Sequence, residues 1–139
     1  MLATASLAPA LDTVRLTLHV LAAAVWVGGQ IVMTGLVGPA RGLGGDAPKT
    51  LARAFARLAW PAFLVLIVTG IWNITAVHAS SASSTWKAVL MAKIVVVLIA
   101  GVGVALHQRA KSKAQLALWG SVGGTASVAA LVMGVLLAG

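Results

Sequence analysis

Apolar positions along this chain fall into four long blocks, separated by short polar or basic stretches. The blocks run over about residues 14–37, 58–77, 86–106 and 114–138. A helix needs about 20 predominantly apolar residues in a row to cross a bilayer, and each block reaches that length. Strands of a membrane barrel would alternate apolar and polar side chains over about 10 positions. Residues 94–100 (IVVVLIA) are instead apolar on every side. The pattern therefore predicts an all-α integral membrane protein, a bundle of four transmembrane helices forming a single domain over residues 1–139. The first block is too long for the hydrophobic region of a cleavable signal peptide, about 7–15 residues, and no basic stretch precedes it. It is expected to remain in the mature chain.

The punctuation between blocks predicts where the helices start and stop. Asp12 is a natural N-cap for the first helix, and Gly38-Pro39 is expected to end it, because proline lacks the backbone donor. Residues 41–49 (RGLGGDAPK) read as a turn. Residues 50–60 (TLARAFARLAW) read as an amphipathic helical segment, with Lys49, Arg53 and Arg57 recurring every four residues on one face. Such a stripe suits lipid phosphates. Pro61 should kink the chain as the second helix begins. Residues 79–85 (ASSASST) form a small, polar connection. In the last block, Gly120-x-x-x-Gly124 has the spacing that lets helix backbones approach closely, within the bundle or in a homodimer.

Composition sharpens this picture. Hydrophobic residues make up 60% of the chain and charged residues 9%, against about 45–50% and about 25% in soluble domains. The formal net charge is +8, and its placement points to a membrane rather than to nucleic acid. Arg41, Lys49, Arg53 and Arg57 lie between the first two blocks, and Arg109, Lys111 and Lys113 between the last two. Only Arg15 and Lys87 mark the opposite side. Cytoplasmic loops collect Lys and Arg, which predicts a multi-pass protein of the cell membrane with both termini outside.

The same inventory removes several chemistries. There are no cysteines, hence no disulfide, thiolate metal site or thiol nucleophile. The only carboxylates are Asp12 and Asp46, both outside the apolar blocks, so paired-carboxylate hydrolysis and a proton path built on a buried acid have no residues to use. No glycine-rich loop follows a strand, so nucleotide binding has no support.

What remains is His19, His78, His107, Lys93, a few methionines and five tryptophans. Lys93 lies about eight residues, near 12 Å of rise, inside the third helix. An intramembrane lysine costs at least about 2.5–3.5 kcal/mol on insertion scales, and the membrane blocks hold no acid to pair with it. It must snorkel, lose its proton, or meet an anionic or metallic guest. His19 falls on one helical face with Trp26, Gln30 and Met33. Sorting by depth gives an outer-half cluster of His19, Trp72, Asn73, His78, Met91, Lys93 and Met133. Thr69 and Asn73 share a face of the second helix and can bond to a neighbour or a guest. His107 is expected at the inner interface and Trp86 in the aromatic belt.

At these residues the chain resembles the CopD-like family of bacterial membrane proteins. The matching segments are 18–29 (LHVLAAAVWVGG), 55–73 (FARLAWPAFLVLIVTGIWN) and the Leu90-Met-Ala-Lys93 element of the third helix. The family implies copper handling. The His and Lys pattern is also similar to HemJ-type protoporphyrinogen oxidases, in which a first-helix His and a third-helix Lys are functional. These carry over to His19 and Lys93.

Three functional expectations follow. In the first, the bundle holds a b-type haem or porphyrin in its outer half: His19 is an axial ligand, and neutral imidazole suits haem iron. Lys93 is then the second ligand or a propionate partner, with His78 as the competing second ligand. Trp26 and Trp72 line the ring, beside Asn73. In the second, His19, His78, Met91 and Met133 supply candidates for copper handling, imidazole and thioether being suitable ligands, and Lys93 has no role there. In the third, the chain is an accessory subunit of a larger membrane complex.

Overall fold

The computed structural model describes residues 6–139, and it is a bundle of four long helices. We number them α1 (Ala10–Gly42), α2 (Ala47–Ala76), α3 (Ser84–Arg109) and α4 (Lys113–Ala138). At 1.5 Å per residue these are about 50, 45, 39 and 39 Å long, more than the roughly 30 Å of a bilayer's hydrocarbon core. Large apolar side chains such as Leu21, Ile31, Leu64, Leu98 and Val135 point outward. In a soluble protein they would be inside; here they face lipid. The exposed area is 9493 Å², well above the about 6,700 Å² of a soluble monomer of this mass.

The helices form two antiparallel hairpins, α1 with α2 and α3 with α4. The start of α1, the end of α4 and the short 3₁₀ turn Ala79–Ser81 share one end of the bundle, called here the terminal end. The two basic connections share the other, the basic end. Close backbone approach between the hairpins is concentrated where α4 meets a five-residue π-helical segment of α1, Ala24–Gly28. A π turn inserts one extra residue and shifts the phase of the helix. Trp26 and Val27, within this segment, are both buried, at 2% and 7% exposure.

The two phenylalanines explain why α2 sits between α1 and α3. Phe55 lies on Gly29 of α1 and Phe63 on Gly101 of α3. A Cβ on Gly101 would stand 2.8 Å from the Phe63 ring, so the absent side chain is what seats it. Trp26 completes the core, with ring centroids 4.4 Å from Phe63 and 5.6 Å from Trp60. The α3–α4 hairpin closes on glycine as well. A Cβ on Gly103 would lie 2.8 Å from the backbone nitrogen of Gly123. Of the expected Gly120/Gly124 pair, Gly120 faces the His107 ring and Gly124 faces open space. The close crossing is one residue away, at Gly123.

The helix ends differ from the sequence expectation in three places. Pro9 stands at the N-cap of α1, and Asp12 pairs with Arg15 at 2.7 Å instead of capping. Helix α1 continues through Pro39 to Gly42, since proline removes only one backbone bond and this turn is exposed. Helix α2 starts at Ala47 and runs through Pro61, absorbing the amphipathic segment. Trp60 Nε1 donates to Gln108 Oε1, near the last residue of α3. Residues 47–59, about 18 Å of helix, therefore extend past α3 at the basic end. Lys49, Arg53 and Arg57 are exposed on that extension.

Hydrogen bonds tie off the α3–α4 hairpin at both ends. Trp86 Nε1 donates to the Leu137 carbonyl at the terminal end. His107 Nδ1 donates to the Leu116 carbonyl at the basic end.

Candidate functional site

Membrane depth concentrates attention on polar groups that no water can satisfy, and in this bundle they form two clusters. The deeper one joins the hairpins. Ser127 of α4, 2% exposed, accepts from Trp26 Nε1 at 3.0 Å and from Gln30 Nε2 at 3.1 Å. Its own hydroxyl donates to the Gly123 carbonyl at 2.7 Å. Gln30 Nε2 also donates to the Trp26 carbonyl at 2.9 Å. The hydroxyl's bonding capacity is used up, so this cluster is structural glue across the π segment.

The second cluster lies about two to three turns nearer the terminal end. Thr69 of α2, 3% exposed, places its hydroxyl 2.6 Å from the Val65 carbonyl and 2.7 Å from His19 Nδ1. A carbonyl can only accept, so the Thr69 proton goes to Val65. His19 Nδ1 must then be the donor to Thr69. That fixes the tautomer: Nδ1 carries the proton and Nε2 keeps its lone pair. An orienting bond of this type on one ring nitrogen is the usual companion of metal ligation through the other.

Around His19 stand two cations. Arg15, one helical turn earlier on α1, is 7% exposed. Its guanidinium donates to Asn73 Oδ1 of α2 and to Asp12 Oδ1 at 2.7 Å. The other cation, Lys93, comes from α3 in the opposite hairpin. The Lys93 amine rests against Gly134 of α4, where a Cβ would stand 3.0 Å from Nζ. Among the described residues Lys93 makes no ion pair. All four helices thus contribute: Arg15 and His19, then Thr69 and Asn73, then Lys93, then Gly134.

The other expected site residues lie apart from this group. Trp26 is fully engaged in the aromatic core, about 10 Å of rise below His19. Trp72 is 38% exposed on the outside of α2, and His78 is exposed beyond the end of α2. Met91 is 60% exposed. Among the described residues no three of His, Asp or Glu gather as a metal-binding group. Two shallow grooves of about 510 and 440 Å³ lie on α4, one between it and α1 beside Gln30 and Thr34, the other between it and α3. Neither reaches His19 or Lys93.

Two members of the cluster carried no functional weight in the sequence. Arg15 read as a charge at a helix end, although its spacing to Asp12 and His19 already placed all three on one face. Gly134 gave no signal, because only the fold shows what occupies the space its side chain would fill. No protein-family profile, curated protein or solved structure matches this chain.

Proposed function

We propose that this protein binds a b-type haem or related porphyrin in the terminal-end half of its bundle, as a redox-type membrane protein. His19 would be an axial ligand through Nε2. Lys93 would face the same guest from α3, as second ligand or as partner of a propionate. The observation that carries this reading is the His19–Thr69–Val65 relay, which engages one imidazole nitrogen and leaves the other without a hydrogen-bond partner among the described residues. The resemblance to HemJ-type proteins at His19 and Lys93 points the same way.

The donor set fits such a guest. Neutral imidazole suits haem iron, and the Lys93 amine suits a carboxylate. Space for it would have to open between the hairpins, since neither groove on α4 reaches His19 or Lys93. A bound haem would supply one-electron redox chemistry. The chain's own work is to orient His19, to hold the carboxylates, and to keep the site in an apolar surround. Lys93 is a better second partner than His78, which lies beyond the helix end. The copper reading is less well supported, since Met91 faces outward and no three-residue ligand group forms.

The test is a spectrum. Protein purified in detergent, with and without added haemin, should show a Soret band that His19→Ala abolishes or shifts. Absence of a band in both samples removes the proposal. By the distribution of basic residues, we place the site on the outer side of the cell membrane.

A further inference from the structure

Arg15 is the buried charge that the reading above leaves without a task. Its exposure is 7%, yet it sits on a helix that faces lipid along much of its length. Burying a guanidinium is costly unless its charge and its donors are both met. Here two partners share the task. The group has five N–H donors in a fixed fork. One goes to Asn73 and one to Asp12, and no buried donor nitrogen among the described residues is left without a partner.

The two partners differ in kind. Asn73 comes from α2 and is neutral, so it fixes the position of the fork without cancelling its charge. Asp12 comes from the first turn of α1 itself, three residues away, and its side chain is 41% exposed. An exposed carboxylate at a helix start can turn to water at little cost. Asn73 is therefore the mount and Asp12 a removable counter-ion.

Charge balance says what would replace it. The terminal-end half holds Arg15 and Lys93 as inner cations, Lys87 at its rim donating to the Ser80 carbonyl, and Asp12 as its one acid; Asp46 lies at the basic end. The site is net positive beside His19, in a low-dielectric surround that strengthens its pull on anions. A guest bearing one carboxylate would satisfy Lys93 or Arg15, and a guest bearing two would satisfy both.

We propose that Arg15 is an anion-binding residue of the His19 site, exchanging Asp12 for a carboxylate of an amphiphilic, acid-bearing ligand while Asn73 holds the guanidinium in place. The inference rests on the porphyrin reading for the identity of the ligand. It adds the residue that would select free acids over esters.

The test uses metal-free protoporphyrin IX and its dimethyl ester with the full chain in detergent, read by porphyrin fluorescence. The wild type should bind the diacid at least about tenfold more tightly than the diester, the scale of one charge-assisted hydrogen bond. Arg15→Gln should remove most of that preference and leave diester affinity unchanged. Arg15→Lys, which keeps the charge and loses the fork, should fall between. Asp12→Asn should strengthen diacid binding, because the internal competitor is gone. A wild type without preference for the diacid, or an Asp12→Asn variant that weakens it, overturns the assignment. Iron ligation is read separately with haemin. Ligation by His19 without a diacid preference would sink Arg15 and keep the haem reading. An Arg15-dependent diacid preference without iron ligation would do the reverse.

Discussion

His19 and Thr69 are joined by a hydrogen bond of 2.7 Å whose direction is set by a third group, the Val65 carbonyl. The Thr69 proton is committed to that carbonyl, so His19 must donate and its second nitrogen is free. A threonine inside a helix often bonds back to its own fourth preceding carbonyl. Here that ordinary habit turns the hydroxyl into a pure acceptor towards α1.

Thr69→Val keeps the shape and removes the acceptor. If His19 ligates haem, this variant should lose about tenfold in haem affinity, within the range for orienting partners of metal ligands. Thr69→Ser should keep most of it. Titration of haemin into the three proteins, followed at the Soret maximum, gives the comparison. Equal affinities would show that the relay does not orient a ligand.

Ser127 offers a test of the bundle that needs no ligand. Ser127→Ala deprives Trp26 Nε1 and Gln30 Nε2 of their shared acceptor. Side-chain bonds between membrane helices average about 0.6 kcal/mol and reach about 1.7 kcal/mol. Because a buried indole N–H is stranded, the loss should lie near the upper end. Thr34→Ala, whose hydroxyl bonds only within its own helix to the Gln30 carbonyl, should change little. Equilibrium unfolding in mixed detergent micelles measures both.

The glycines of α4 should separate sharply. A Cβ at Gly123 would stand 2.9 Å from the Val104 backbone nitrogen, and backbone cannot rotate aside. Gly123→Ala must therefore push α3 and α4 apart and lower thermal stability. Gly124→Ala meets nothing within 4 Å and should be tolerated. The opposite ranking would place the helix crossing at the spacing suggested by the sequence motif.

The sequence reading found what depends on composition along the chain and missed what depends on phase. Four spans are legible because lipid selects for apolar side chains on all faces, and block length is visible directly. Thr69 and Asn73 were legible as neighbours on one face of α2, and each does bond to α1. The π segment was not legible: AVWVG contains nothing that demands an extra residue per turn, and only the backbone of the folded chain shows it. Asp12 looked like a cap because its position suits one, while the buried Arg15 three residues on competes more strongly for it. Trp72 looked like a ring-lining residue from depth alone, and depth does not say which side of α2 it is on.

Sidedness follows from charge rather than from the fold. Arg41, Lys49, Arg53, Arg57, Arg109, Lys111 and Lys113 all lie at the basic end, and the K/R bias of short loops sets orientation. A reporter active only in the cytoplasm, fused after Gly139, should be silent. One fused within the 110–112 connection should be active. A bright signal at Gly139 would place the His19 cluster on the cytoplasmic side.

Lys93 is the residue whose substitution separates the remaining roles. It carries an amine at membrane depth, without an ion-pair partner among the described residues, beside a glycine that leaves it room. If the side chain is a bystander, Lys93→Met should leave haem content unchanged and stabilise the bundle, since a cation leaves the membrane at similar volume. If it pairs with a propionate, Lys93→Met should lower occupancy, and Lys93→Arg should restore it because guanidinium binds carboxylate in a fork. If it ligates the iron as a neutral amine, neither variant should restore the wild-type spectrum, because guanidinium stays protonated and offers no lone pair. Haem content per chain and the position of the Soret band, measured for all three proteins, distinguish these outcomes. Unchanged content and spectrum in both variants would remove Lys93 from the site and leave His19 to be judged alone.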